Sequence, residues 1–139
     1  MSEFMQTLAL VLLLASCDLA MPEPDCLMSS GVRVYGTDRC APLNCRETAA
    51  REVLGWELPA DWFVLIQEAP SWYSKQHGFW VAGLTSCDDR RITVGSDAAA
   101  YGHERIHASH CPDLTAEDYS HEGWGQFTLQ LGEINRRCP

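Results

Sequence analysis

Lysine is nearly missing from this chain: of ten basic residues one is Lys, against 19 acidic residues and a formal net charge of −9. A phosphate backbone is held by clustered Lys and Arg, so this balance excludes nucleic acid as a partner. The chain shows no internal repeat and no low-complexity tract. Its only long apolar run lies at the N-terminus, so no internal segment reads as a membrane span. C-x-x-C pairs are also absent, which argues against a zinc site built from cysteine. With 46% hydrophobic and 21% charged residues the composition is ordinary for a folded protein, and 139 residues allow one domain with a modest core.

The apolar run from Leu8 to Ala15 is too short to span a bilayer but suits the core of an export signal. It ends in Leu14-Ala15-Ser16-Cys17, which resembles the bacterial lipobox. That resemblance implies removal of residues 1–16 and a lipid on Cys17, so that a lipid anchor is the chain's only membrane contact. Residues 17–30, with Pro22 and Pro24, then read as a tether, and residues 31–139 as the folded domain. Seven Cys is an odd number. With Cys17 set aside for lipid, Cys26, Cys40, Cys45, Cys87, Cys111 and Cys138 form an even set, and three disulfides are expected, each stabilising by about 2–4 kcal/mol. Their pairing is left open. The expected location is the cell envelope, on the outer side of a bacterial membrane.

Hydrophobic periodicity predicts α+β: a small antiparallel or mixed sheet, a first helix, a motif helix and a C-terminal glutamate-bearing helix, stapled by disulfides. Val32–Tyr35, Trp62–Ile66, Phe79–Leu84 and Arg91–Val94 read as strands. Asn44 opens a helix start signal with Glu47, which Arg51 pairs at i,i+4, and Gly55 ends that helix. Ser96 or Asp97 is expected to cap the motif helix, which runs to about His110 before Pro112. Ser120 opens the last helix, with Trp124, Phe127, Leu131 and Ile134 on one apolar face and Gly123 or Gly125 at its contact with the motif helix.

The motif is His103-Glu104-Arg105-Ile106-His107. On a helix, residues four apart share a face, so both imidazoles can reach one tetrahedral Zn²⁺ with Glu104 beside them as general base. Such a zinc site keeps three protein ligands and one open position, so a third ligand is needed. Glu122, Asp113, His121 and His110 compete for it. His110 alternatively donates a hydrogen bond to a reaction intermediate, a role also open to Tyr101 and Tyr119. Arg105 is expected on the surface, His77 in solvent, and the five Trp in core and rim packing.

From about Arg91 to Leu131, in the order strand, HERIH helix, HEGWG helix, the chain resembles the gluzincin zinc metallopeptidases. The resemblance implies His103, His107 and Glu122 as zinc ligands and Glu104 as the base. Asp113 instead fits a metzincin-like spacing, in which His110 stands where a glycine is needed. The leading expectation is a zinc-dependent peptidase acting on peptide or protein at the cell envelope. The alternative is a non-catalytic binding lipoprotein, held together by zinc or by disulfides alone.

Overall fold

A computed structural model describes residues 21–111 and 126–139. The described residues form an α+β fold, with a mixed five-stranded sheet, a separate two-stranded hairpin and three helices. The strands are β1 (Cys26–Leu27), β2 (Arg33–Tyr35), β3 (Phe63–Ile66), β4 (Trp72–Ser74), β5 (Phe79–Val81), β6 (Gly83–Ser86) and β7 (Arg91–Val94); the helices are α1 (Ala41–Leu54), α2 (Tyr101–His110) and α3 (Phe127–Arg137).

The large sheet has the order β1-β2-β3-β7-β6, with β2, β3 and β7 parallel and the two outer strands antiparallel to their neighbours. Parallel neighbours need a crossover, and α1 supplies it between β2 and β3. The register aligns Val34, Val64 and Ile92 across the sheet and brings Thr85 into the same row at the edge. Side chains alternate along each strand, so the face carrying these valines and Ile92 also carries Val94 and position 83. That face is buried under the helices, with Leu43, Tyr101 and Ala108 closing the core. A second cluster, formed by Ala49, Ala50, Ile106, Phe127 and Ile134, joins the three helices.

Several boundaries differ from expectation for identifiable reasons. Helix α1 starts three residues before Asn44, because Pro42 favours the first turn; Asn44 Oδ1 instead accepts the Ser29 N–H at 2.9 Å. Glu47 does not pair with Arg51, which faces Glu57 at 3.8 Å. The apolar stretch Phe79–Leu84 is two strands, since Phe79–Val81 pairs with β4 and Gly83–Ser86 with β7. Helix α2 starts at Tyr101: Asp97 accepts the Ala99 N–H at 3.0 Å in a preceding turn in which Ala98 has φ 54°. Ser120, Trp124, Gly123 and Gly125 lie outside the described residues. The glycine found at the helix contact is Gly102, where a Cβ would lie 3.2 Å from Ile134 Cγ2.

Cys26–Cys40, Cys45–Cys138 and Cys87–Cys111 are disulfides. They suggest an oxidising, extracytoplasmic compartment. No described helix is long and apolar enough to cross a membrane. Cys17 lies outside the described residues.

Candidate metal centre

Helix α2 runs between the sheet and the other two helices, and its sequence sorts by face. Tyr101, Arg105 and Ala108 turn inward and are fully buried, as is Ile106. His103 and His107, four apart, share another face, with Nε2 atoms 3.1 Å apart. Two imidazole nitrogens bound to one tetrahedral zinc at about 2.0–2.1 Å lie roughly 3.3 Å from each other. The pair therefore fits a shared metal ion. Phe127, at the start of α3, walls it in, with its ring centroid 4.9 Å from that of His103 and 6.0 Å from that of His107.

Glu104 lies beneath the edge strand β6. Its Oε1 is 3.9 Å from His103 Nε2, and the Thr85 hydroxyl is placed to donate to Oε2 at 2.8 Å or to the Glu104 main-chain oxygen at 2.9 Å. Gly83 makes this position possible, because a Cβ there would meet Glu104 Cγ at 2.6 Å and Oε1 at 2.7 Å. Two alternate positions of one strand thus serve one carboxyl group: the first leaves space, the second supplies a proton donor. Burial raises the Glu104 pKa to about 7, and the Thr85 hydrogen bond partly opposes that rise. A carboxyl titrating near neutrality can both accept and return a proton.

Arg105 contradicts the expectation of a surface position. It is fully buried, with Nε donating to Glu47 Oε2 at 2.7 Å and Nη2 donating to Glu47 Oε1 at 3.0 Å and to the Trp56 carbonyl at 2.7 Å. On the helix Arg105 points away from the face that His103 and His107 share and into the core, and Glu47 on α1 is the partner that makes burial of the charge tolerable. Tyr101 is also spent on this network, donating to Glu47 Oε2 at 2.8 Å, and therefore does not serve as an oxyanion donor at the histidines. His110 occupies the last turn of α2, and His77 is exposed as expected. Among the tryptophans, Trp62 is core but Trp80 stands in solvent, against expectation.

Among the described residues no group of three His, Cys, Asp or Glu side chains is assembled to hold a metal. Glu122, Asp113 and His121, the competitors for the third ligand position, lie outside the described residues, as does Tyr119. Sequence reasoning missed Gly83 and Thr85, and read Glu47 only as part of a helix start and a partner of Arg51. None carries a local signal of its role here, because each acquires it from a residue 19 or more positions away. No family model matches the chain, and no curated protein or solved structure is significantly similar to it.

Proposed function

We propose that the chain is a zinc-dependent peptidase of the cell envelope, with His103 and His107 as two of three zinc ligands, Glu104 as general base and Glu122 as the favoured third ligand. One observation carries the reading: two Nε2 atoms at 3.1 Å, with a buried carboxylate 3.9 Å from one of them. Bound there, zinc would polarise a scissile carbonyl and make a water acidic enough to attack at neutral pH. Glu104 would be the residue that accepts a proton from the attacking water and returns it to the leaving amine. Thr85 fixes the carboxyl for this transfer.

The outer strand supports a peptide as substrate. Gly95 N–H donates to the Ala82 carbonyl at 2.9 Å, which sets the alternation of the ladder and turns the main-chain groups of Gly83 and Thr85 away from β7. An extended chain paired there would pass directly over Glu104.

The test is zinc content together with peptide hydrolysis on the oxidised protein. His103→Ala or His107→Ala should lose both. Glu104→Gln should keep zinc and lose turnover by about 10²-fold or more. Loss of zinc in Glu122→Ala, and not in Asp113→Ala or His121→Ala, is expected for the third ligand. Stoichiometric zinc with no hydrolysis in the unaltered protein would favour the non-catalytic lipoprotein; absence of zinc would overturn both metal readings.

A further inference from the structure

Strands β4 and β5 form a hairpin that leaves the sheet after β3 and returns at β6. Its stem is fixed, since Ser96 N–H donates to the Ala69 carbonyl at 3.0 Å and Gly95 N–H to the Ala82 carbonyl at 2.9 Å. Its tip is fixed too: Gly78 N–H donates to the Ser74 carbonyl at 2.8 Å, and Ser74 Oγ lies 2.9 Å from His77 Nδ1. One face of the hairpin packs on the body through the buried Ser74 and Val81. The other presents the directly opposed pair Tyr73 and Trp80, 51% and 68% exposed, with ring centroids 6.2 Å apart. Single exposed apolar residues are ordinary, but two large aromatics paired on one face of a rigid hairpin are not.

Charge distinguishes the same segment. From Ala69 to Cys87 the chain has no Asp or Glu, although it has 19 elsewhere, and its one lysine, Lys75, sits at the tip. An anionic surface would repel most of this protein and tolerate this hairpin. Trp and Tyr settle at the headgroup level of a bilayer while Lys keeps its ammonium in water. A lipid on Cys17, expected from the lipobox, would hold the body close: eight residues separate it from β1, a reach of about 30 Å.

We infer that the β4–β5 hairpin docks on an anionic lipid surface through Tyr73, Trp80 and Lys75. A lipid chain and an interfacial aromatic–basic patch are together the two signals that hold a protein stably and in one orientation. This docking is independent of the metal reading.

The test uses the full chain on phosphatidylglycerol vesicles containing lipid brominated in its acyl chains, which quenches nearby tryptophan. No Trp precedes Trp56, so insertion of the N-terminal apolar run is silent. Quenching is expected, and it should fall by about twofold or more with Trp80→Ser, with Lys75→Glu, and on purely zwitterionic vesicles. All these side chains are exposed, so the variants keep their fold. Quenching that is absent, unchanged in Trp80→Ser, or equal on zwitterionic vesicles would overturn the proposal. So would Trp80→Ser abolishing peptide binding while vesicle quenching persists, which assigns the hairpin to a protein partner.

Discussion

Arg105 and Glu47 form a two-point pair between α2 and α1, with Nε to Oε2 at 2.7 Å and Nη2 to Oε1 at 3.0 Å, sealed from water. The guanidinium also stacks 4.7 Å from the centroid of the Trp56 ring. Its third nitrogen, Nη1, has no hydrogen-bond partner among the described residues, so the pair spends much of its attraction on desolvation. What the pair fixes is rotation: helix α2 with Arg105 in the core holds His103 and His107 on their shared face against Phe127.

Removing one partner should therefore cost far more than removing both. Arg105→Ala or Glu47→Ala leaves a charge buried alone and should destabilise by about 3–5 kcal/mol. The double replacement Arg105→Met with Glu47→Leu should lie within about 2 kcal/mol of the unaltered protein, because no buried charge remains. Denaturant midpoints of the three variants under oxidising conditions check this. A double variant as unstable as the sum of the singles would show that the pair itself stabilises the fold.

The pattern of residues shows why some features were legible and others not. The HERIH spacing needs only helical geometry, so the histidine pair could be read directly, and the disulfide count followed from an even set of Cys. Phe127 and Ile134 were readable as an apolar face because α3 repeats at helical spacing, and both are buried. Arg105 was misplaced because charge alone predicts exposure, and its partner Glu47 lies 58 residues earlier. Strands β5 and β6 were merged because a short apolar run does not reveal that its two halves pair with different partners. Gly83 and Thr85 looked like ordinary strand residues; their meaning comes from the helix beneath them.

Two glycines give opposite expectations for the same substitution. Gly83→Ala puts a Cβ against Glu104 and should cost about 1–3 kcal/mol while displacing the carboxyl, with hydrolysis falling alongside. Gly132 lies within α3 with nothing among the described residues within 4 Å of its missing side chain, so Gly132→Ala should stabilise by about 0.5–1 kcal/mol through helix propensity. Melting curves of the two variants decide it, and Gly83→Ala as stable as the unaltered protein would mean that Glu104 does not sit under β6.

The three disulfides should not contribute equally. Cys45–Cys138 closes a span of 93 residues and Cys26–Cys40 one of 14. On the chain-entropy account the long span restricts the unfolded state more, so replacing Cys45 and Cys138 by Ala should cost about 1–2 kcal/mol more than replacing Cys26 and Cys40. Paired denaturation curves test the order. Equal losses would show that strain or residual structure in the unfolded chain outweighs loop closure.

Glu104 makes the metal-free protein sensitive to pH in a defined direction. Its carboxyl is raised from 4.5 to about 7 on folding, mainly by burial, so between those values the folded state holds a proton that the unfolded state has released. Its contribution is thus most favourable below about pH 4.5, shrinks as pH rises towards 7 and is constant above that. Glu104→Gln removes the titration. In the presence of a chelator, the variant's stability relative to the unaltered protein should grow between pH 5 and about 7 and then level off. Thr85→Val removes the hydrogen bond that opposes the rise, so the same loss of stability should extend to higher pH. Unfolding midpoints measured from pH 5 to 8 for the three proteins check both statements, and parallel profiles for Glu104→Gln and the unaltered chain would show that this carboxyl is solvated rather than buried beneath β6.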